Sequence, residues 1–489
     1  MLTVRFCGAA RTVTGSQYYL EYTEVSGKVF RFCVDSGMFQ VGSRLNLYRI
    51  NSHLLFPPKK LDAVILTHAH LDHCGRIPYL VSQGFGGRIY STKATKELAQ
   101  IVMSDAAKHV NEGEMAALDP SSGEILADNS VRQEQGEYLY NTHDVEAAMT
   151  RFRTYEYHEA FRIHRDLEVK FFDAGHILGS ASVVITELTT GRNVIFSGDL
   201  GNVGKPIIED PELICCYPKT THIFTETTYG NKNHPKLSPK VKLRELVNKT
   251  VKRKGKVLIP SFSVERAQEV IYHLVELMRE GKIKNIPIYL DSPMASKVLQ
   301  VVLDHPELYD EKIRTKIKNK VNPLVYKKLE ILETVAESKS INGTKDSCII
   351  IAGSGMMNGG RILKHLQFYV EDAKNMLIIV GYMAQGTLGR EILESRPQVE
   401  IEGRIFDLKI EHHKINEFSA HADQKQLIRW ARSIVRDVPD ARKNPPTLFL
   451  MHGEAEQVRA FTEEVKLRVG ERIRTYWPHF GETVTLWPK

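Results

Sequence analysis

The residues best suited to chemistry lie close together at 67–75, where the sequence reads THAHLDHCG. Three imidazoles and one carboxylate, His68, His70, Asp72 and His73, fall within this stretch. Imidazole and carboxylate groups are ligands for zinc, manganese or iron. One ion could use two or three of them, whereas four in so short a span indicate two ions side by side. The alternative, a His-rich surface turn, does not explain why an apolar segment runs directly into four ligating side chains.

The element that positions this cluster is the apolar run 61–66, which predicts a buried strand. Other candidate residues follow predicted strands in the same way: Asp35 after 29–34, His176 after 168–172, Asp199 after 193–197 and His452 after 447–451. His421 lies in the segment FSAHAD at 418–423. Taken singly, each of these residues could be structural. Their repeated placement at strand ends predicts a shared site.

The composition is that of an ordinary globular protein, with 489 residues and a net charge of +7. The length predicts two to four domains. We expect a cytoplasmic protein without membrane contact, because no apolar run approaches ~18 residues and Arg5 and Arg11 interrupt any signal-peptide core. The basic runs 249–256 and 312–320 are more typical of solvated helix ends than of a nucleic-acid surface.

The six cysteines lie at positions 7, 33, 74, 215, 216 and 348. None forms a C-x-x-C pair, so the sequence argues against a thiolate zinc site. We expect reduced core residues instead.

The pattern of strands and helices changes twice along the chain. The first ~230 residues read as strands, with a helix at 92–103 and a polar helical insertion or lid at about 112–146. Strands then alternate with amphipathic helices, which predicts a parallel sheet with crossover helices. From about 398 the sequence predicts strands at 399–405, 407–411 and 447–451, and helices from 424 and at 455–469.

The pattern H-x-H-x-D-H at 68–73, together with Asp35, His176 and Asp199, resembles the metallo-β-lactamase superfamily. Further segments resemble its β-CASP branch: TETTYG at 225–230, PSFSVERAQ at 260–268, DSPMA at 291–295, SGMMNGGR at 354–361, FSAH at 418–421 and MHGE at 451–454. They occur in the family's order and span nearly the whole chain. Within that branch the sequence is most similar to bacterial and archaeal relatives of the cleavage-and-polyadenylation endonuclease subunit.

The resemblance implies an α/β fold in which a four-layer αββα metallo-β-lactamase domain carries an inserted β-CASP domain, a parallel sheet flanked by helices. On this reading the first part of the metallo-β-lactamase domain is 1–230. The inserted domain is 231–397, and 398–489 completes the first domain.

The resemblance also implies two Zn²⁺ per chain and a role for each residue. His68, His70 and His176 would hold one ion. Asp72, His73 and His452 would hold the other, with Asp199 between the two ions and Asp35 orienting a ligand from behind. Glu226 and His421 would pair.

Two metals about 3.5–4 Å apart can lower the pKa of a shared water and clamp a phosphodiester. In catalysis His421 would then act as general acid toward the leaving 3′ oxygen, alongside Glu226 and Asp72. Glu226 would raise the pKa of His421.

A glycine-rich stretch at 353–360 precedes a predicted helix, and backbone N–H groups at a helix N-terminus bind phosphate. With the family match, this predicts RNA phosphate contacts at Ser354, Gly355, Gly360 and Arg361. His365, one turn later, could face RNA or pack inside the protein.

The function implied is a zinc-dependent ribonuclease acting on single-stranded RNA, endonucleolytic, with 5′→3′ exonucleolytic activity left open. His452 favours RNA over DNA, because DNA-acting relatives tend to carry an apolar residue there. A single strand is favoured because in this family the metals lie sunk between two domains. Two other functions compete: a hydrolase of a small ester or thioester, and a non-catalytic RNA-binding scaffold, which would have lost ligands. The aromatic residues of the C-terminal segment 476–488 could form a homodimer contact or cap the core.

Overall fold

The structure is a computed structural model that describes residues 1–40, 44–111, 117–118, 125–126, 139–235, 238–383 and 386–488. The chain forms two compact units. The first comprises Met1–Val203, Asp210–Asn233 and His421–Lys489, and the second comprises Gly204–Glu209 and His234–Ala420. Within the described ranges, no helix combines the length and the apolar character needed to cross a bilayer.

The strands of the described residues, numbered in chain order, are β1 (Leu2–Phe6), β2 (Tyr18–Thr23), β3 (Val29–Val34), β4 (Ala63–Ile65), β5 (Arg88–Ser91), β6 (Ala117–Leu118), β7 (Ile125–Leu126), β8 (Phe152–Thr154), β9 (Ala160–His164), β10 (Leu167–Asp173), β11 (Ala181–Glu187), β12 (Asn193–Phe196), β13 (Thr220–Glu226), β14 (Val257–Pro260), β15 (Ile288–Asp291), β16 (Leu329–Ile331), β17 (Ile349–Ala352), β18 (Met376–Ile379), β19 (Gln398–Ile401), β20 (Arg404–Asp407), β21 (Glu411–Lys414), β22 (Thr447–Met451), β23 (Arg474–Tyr476) and β24 (Thr483–Trp487).

The α-helices are α1 (Arg44–Ser52), α2 (Leu71–Cys74), α3 (Ile77–Ser82), α4 (Lys93–Asn111), α5 (Thr142–Met149), α6 (Pro239–Lys252), α7 (Arg266–Arg279), α8 (Pro293–Asp304), α9 (Glu311–Lys318), α10 (Val335–Ser340), α11 (Arg361–Tyr369), α12 (Leu388–Leu393), α13 (Gln424–Arg436) and α14 (Ala455–Arg468). Single 3₁₀ turns lie at Pro58–Lys60, Pro306–Leu308, Asn416–Phe418 and Gly470–Arg472.

Two seven-stranded sheets form the first unit. Their strand orders are β24-β1-β2-β3-β4-β5-β8 and β23-β22-β13-β12-β11-β10-β9. Each sheet has an antiparallel half and a parallel half. The parallel halves matter for function, because the carboxyl ends of parallel strands meet at one edge of a sheet.

The core of this unit lies between the two sheets. Alternate residues of β1 point inward, and the aromatic rings of Phe6, Phe224 and Phe449 meet there with centroids 4.6–6.0 Å apart. Phe196 stacks on Phe224 at 4.2 Å. Buried aromatic rings contribute large apolar areas, so this layer supplies much of the driving force for folding.

Helices cover the outer faces of both sheets. Trp430 of α13 and Phe461 of α14 pack with Ile195 and Ile223 of the second sheet. On the outer face of the first sheet Val64 is fully buried, and α4 lies against its edge strand β8. The expected four-layer αββα arrangement is therefore confirmed.

The second unit is built on a six-stranded sheet of order β16-β15-β17-β14-β18-β21, and every pair in it is parallel. Its central strands β14, β17 and β18 are buried along their whole length. A strand that is covered on both faces has a continuous apolar sequence, so these strands could be recognised from the sequence. The predicted parallel sheet with crossover helices is confirmed.

The structure differs from the sequence prediction after residue 397. The predicted strand 399–405 is a hairpin of β19 and β20, whose turn residues Glu402 and Gly403 both have positive φ. β21 starts at Glu411 and pairs with β18, so residues 398–420 lie in the second compact unit rather than with 421–489.

Two further expectations concern 112–146 and the cysteines. In 112–146, β6 pairs antiparallel with β7 and α5 starts at Thr142, while the rest of the predicted insertion lies outside the described residues. Four of the six cysteines are buried as predicted. The prediction is wrong for Cys215 and Cys216, which are exposed.

Replacing Phe224 by alanine is expected to lower the free energy of unfolding by about 3–5 kcal/mol, because the stacked rings cannot close the cavity. Urea denaturation followed by near-ultraviolet circular dichroism measures it. Phe368→Ala is the matched control, since that ring is 65% exposed. Equal effects of the two substitutions would contradict the two-sheet core.

Candidate metal centre

The candidate ligands lie beyond the carboxyl ends of strands that share one edge of their sheets. They follow these strands: Asp35 after β3, the segment 68–73 after β4, His176 after β10, Asp199 after β12 and His452 after β22. β10 runs in the same direction as β12, because both are antiparallel to β11. All the predicted metal ligands therefore meet at one place in the first unit.

The short helix α2 carries Asp72 and His73, and backbone contacts fix it. Ser16 N–H donates to the Asp72 carbonyl and Ser36 N–H to the His73 carbonyl, both at 2.8 Å. Gly37 allows this approach: a Cβ there would lie 1.6 Å from the Asp72 carbonyl oxygen. A side chain at position 37 would push the ligand helix away.

The first cluster contains three imidazoles. His70 Nδ1 lies 3.2 Å from His68 Nε2 and 3.1 Å from His176 Nε2. The Asp199 Oδ2 atom stands 3.5 Å from His68 Nε2 and 3.7 Å from His176 Nε2.

The second cluster contains Asp72, His73 and His452. His452 Nε2 lies 3.4 Å from His73 Nε2 and 3.3 Å from Asp72 Oδ2. The other oxygen of Asp199, Oδ1, stands 3.4 Å from His73 Nε2 and 3.9 Å from His452 Nε2. The two oxygens of one carboxylate are thus divided between the two clusters, as the bridging role of Asp199 requires.

These atoms fit metal ions better than they fit each other. Ligands about 2.0–2.1 Å from a tetrahedral zinc stand about 3.3 Å apart, close to the 3.1–3.4 Å nitrogen separations here. Asp199 Oδ1 is buried and finds no hydrogen-bond donor among the described residues. An orphaned carboxylate oxygen amid imidazole nitrogens is what a cation would satisfy.

Residues behind the ligands set which nitrogen each ring presents. Asp35 Oδ2 accepts from His73 Nδ1 at 2.7 Å, and Thr67 donates to Asp35 through both its N–H and its hydroxyl. The same hydroxyl lies 3.0 Å from His68 Nδ1. Asp35 thus stands where it was predicted, turning Nε2 of His73 toward the cluster.

Thr67 and Thr228 lie in the quoted motifs at 67–75 and 225–230, but no role was predicted for either residue. Thr228 Oγ1 lies 3.1 Å from His452 Nδ1, so it orients that ring as Asp35 orients His73. Thr67 directly precedes a ligand, and its hydroxyl was a signal that could have been used. Thr228 and His452 are 224 positions apart, and nothing local links them.

Glu226 and His421 form a pair beside the two clusters. His421 Nδ1 lies 3.1 Å from both oxygens of Glu226. Leu200 N–H also donates to Glu226 at 2.6 Å, which holds the carboxylate in place. The His421 ring centroid is 4.6 Å from that of His176, so the pair borders the metal cluster.

Burial and neighbouring charges shift the pKa values of the site histidines in different directions. Burial and the neighbouring imidazoles hold the pKa of His68 and of His176 well below the ordinary value, so both rings are neutral, as metal ligands must be. Burial opposes a charge on His421, but the carboxylates of Glu226 and Asp199 outweigh it and raise its pKa to about 9. His421 is therefore protonated at neutral pH. Nearby carboxylates also raise the pKa of His73 and of His452, so a raised pKa alone does not distinguish His421 from those two ligands.

The predicted phosphate-binding residues lie in the second unit, outside the metal cluster. Gly360 caps α11, and Arg361 starts it. The Arg361 guanidinium donates to Asp291 at 2.6 Å and to the carbonyls of Leu332 and Glu333. A phosphate would compete with these acceptors, and the role of Arg361 stays a prediction.

Of the other residues on that loop and helix, Ser354 Oγ accepts from Asn358 N–H at 3.2 Å, and Gly355 packs against Phe262. His365 is fully buried and bonds to Asp291, so it packs inside the protein rather than facing RNA.

Three family models match the chain. The metallo-beta-lactamase superfamily matches residues 33–261, and the Beta-Casp domain matches 267–392. The Zn-dependent metallo-hydrolase RNA specificity domain matches 406–478.

Relatives that align over most of the chain belong with the same family of proteins. A ribonuclease of Thermus thermophilus is 37% identical over 98% of each chain, and an RNase J-like protein of Methanocaldococcus jannaschii is 30% identical over 82% of this chain and 84% of its own. Transcription termination factor FttA of Pyrococcus horikoshii is 31% identical over 87% of this chain, which spans 62% of its length. A crystal structure of a protein of unknown function from Enterococcus faecalis matches with a TM-score of 0.52 at 12% identity over 99% of both chains, which shows similarity of fold alone.

Thr228→Val is expected to weaken metal binding by about 10–100-fold, because His452 loses the partner that orients it. Competition against a chromogenic chelator measures the affinity. Thr462→Val, which removes a hydroxyl bonded to a carbonyl of its own helix, is the control. Equal affinities of Thr228→Val and wild type would show that His452 is not held through its Nδ1 atom.

Proposed function

Because this chain belongs to the β-CASP ribonuclease family of the metallo-β-lactamase superfamily, we propose that it holds two Zn²⁺ and hydrolyses single-stranded RNA. It is a metal-dependent hydrolase, as its family is. The observation that carries the finer proposal is the division of the Asp199 carboxylate between two clusters beside the Glu226–His421 pair.

The residues that would hold the ions are those of the two clusters, His68, His70 and His176 on one side and Asp72, His73 and His452 on the other, with Asp199 shared. When bound, such ions supply an activated water and neutralise charge on the phosphoryl oxygens. Hydrolysis joins the water oxygen to phosphorus and breaks the bond to the 3′ oxygen, leaving a 5′-phosphate and a 3′-hydroxyl.

His421 supplies the proton that the 3′ oxygen needs. Its Nδ1 is committed to Glu226, so Nε2 is the atom that can donate. His421 and Asp72 are partly exposed, with 21% and 16% of their side chains accessible, whereas His68 and His73 are buried. The scissile phosphate therefore has access from the side of His421 and Asp72, which supports a catalytic role for both.

The loop before α11 would contact RNA phosphates in the second unit. Its supporting feature is the N-terminus of α11, where backbone N–H groups and the helix dipole favour an anion. Gly355 and Gly360 would contribute backbone N–H donors and Ser354 its hydroxyl, because the Ser354 N–H already donates to the Gly359 carbonyl at 3.3 Å. Arg361 would contact a phosphate beside its bond to Asp291, which holds the loop against β15.

We expect metal analysis to find two zinc ions per chain on the imidazole and carboxylate ligands of the two clusters. A chelator should abolish RNA cleavage and Zn²⁺ restore it, because the donors are imidazoles and carboxylates that suit zinc. His452→Ala should retain one of these two ions, since only the second cluster loses a ligand. One zinc in the wild type, or cleavage restored by manganese and not by zinc, would contradict this part of the proposal.

His421→Ala is expected to lower kcat for cleavage of a long, 5′-labelled single-stranded RNA by about 10²–10⁴-fold. Both zinc ions should remain bound, because His421 serves as an acid rather than as a ligand. His143→Ala, whose ring is 89% exposed, is the matched control. A fall in zinc content of the His421→Ala protein would identify His421 as a ligand and overturn the assignment.

The products separate the competing functions. Discrete labelled fragments indicate an endonuclease, and immediate release of labelled mononucleotide indicates 5′→3′ exonuclease action. A matched DNA reports the choice of substrate. Binding of RNA without cleavage by the zinc-loaded protein would favour a scaffold, and hydrolysis of a small ester alone would favour the other branch of the superfamily.

A further inference from the structure

Two exposed cysteines stand next to each other in the segment that leads into β13. The Cys215 and Cys216 Sγ atoms are 3.7 Å apart, and both thiols are reduced and accessible. The other cysteines at 7, 33, 74 and 348 are buried. A pair of free thiols at the surface is a strong ligand for thiophilic ions, whereas the buried cysteines behave as small apolar residues.

The backbone brings these two thiols together. In an extended chain successive side chains point to opposite sides, which would separate the two sulfurs. Cys216 has a φ of 68°, in the left-handed region that residues other than glycine rarely adopt. This conformation reverses the usual alternation, so both sulfurs lie on the same side of the chain.

The separation of the sulfurs suits a shared ion. Two sulfurs about 2.3 Å from one tetrahedral zinc stand about 3.8 Å apart, and a disulfide would require about 2.05 Å. The observed separation of 3.7 Å between the two sulfurs agrees with the separation of two zinc ligands. Two thiols in van der Waals contact would have the same separation, so the distance alone does not indicate a metal site. A third ligand nearby is needed to support one.

Asp437, which follows the last residue of α13, provides that donor. A carboxylate oxygen of Asp437 and the two sulfurs all lie within 4.8 Å of one another. Cys216 N–H donates to Asp437 Oδ2 at 2.8 Å, which fixes the carboxylate beside the thiols although the residues are 221 positions apart. The other oxygen pairs with the exposed Arg436 at 3.2 Å, a contact that a cation can replace at little cost.

We propose that Cys215, Cys216 and Asp437 form a second metal site, which binds a thiophilic tetrahedral cation of the zinc class through two thiolates and one carboxylate. Solvent completes the fourth position. The site is separate from the catalytic centre: the thiols precede the first residue of β13, and Glu226 is its last. Seven residues of strand at ~3.3 Å each place about 20 Å between them.

Co²⁺ is the probe that distinguishes the two sites. It is titrated into the full-length protein after reduction. Thiolate ligands give Co²⁺ an intense near-ultraviolet sulfur-to-metal charge-transfer band, which the imidazole and carboxylate ligands of the catalytic centre cannot produce. We expect this band in the wild type and its loss on addition of one equivalent of Zn²⁺ beyond that taken by the catalytic centre. No band in protein with both thiols free would overturn the proposal.

Matched variants assign the band to these residues. Cys215→Ser and Cys216→Ser should each abolish the two-thiolate band, whereas Cys348→Ala should retain it because that thiol is buried elsewhere. Asp437→Asn should keep the band and weaken Co²⁺ binding, and Asp440→Asn should change neither. A band that survives in the Cys215→Ser/Cys216→Ser double variant would overturn the assignment.

Activity provides an independent readout. The double variant should cleave RNA at the wild-type rate and hold the catalytic zinc ions, since its substitutions lie at the far end of β13. Loss of cleavage together with loss of the band would mean that the thiols serve the catalytic centre, and would overturn a separate site. An inactive wild type that still gives the band would refute the proposed ribonuclease function and leave this site standing.

Discussion

One buried carboxylate, that of Asp199, connects both halves of the metal centre. A charge taken out of water is stable only where it is paired, and each Asp199 oxygen faces a different group of imidazoles. Of these rings, those of His452 and His73 chiefly lower the pKa of Asp199 far below the ordinary value despite its burial. The arrangement depends on strand register: a shift of one residue between β12 and β13 would turn each side chain to the opposite face of the sheet. The packing of the two-sheet core and the position of the metal ligands therefore both depend on the pairing of β12 with β13.

The chemical role of each histidine follows from the group behind it. His73 gives Nδ1 to Asp35 and His452 presents Nδ1 to Thr228, so both rings turn Nε2 toward a shared point. His421 also gives Nδ1 to a carboxylate, but Glu226 lies beside the clusters rather than behind them. The His421 side chain is also the more accessible one, at 21% exposure against 2% for His73 and 7% for His452. This difference in position and exposure supports the proposed ligand roles of His73 and His452 and the proposed acid role of His421.

The sequence predicts features that local patterns encode. The segment 68–73 is contiguous and follows an apolar strand, so its ligands could be read directly. Glu226 and His421 are 195 positions apart, and only the family motifs linked them. Thr228 lies in the TETTYG motif at 225–230, but a role was predicted only for Glu226 of that motif. The strand predicted at 399–405 was wrong because a two-residue turn at Glu402 and Gly403 interrupts an otherwise strand-like run. Cys215 and Cys216 were predicted to lie in the core. The sequence pattern does not reveal the left-handed backbone conformation of Cys216.

β13 lies between the candidate metal centre and the proposed thiol site of the first unit. Glu226, at the carboxyl end of β13, lies beside imidazole and carboxylate ligands. The segment before the amino end carries two thiols, which lie close to the carboxylate of Asp437. These donor sets differ in softness: thiolates select zinc or copper(I), whereas imidazoles and carboxylates also accept manganese or iron. Because the two donor sets share no residue and the seven residues of β13 lie between them, we expect each to bind its ion independently of the other.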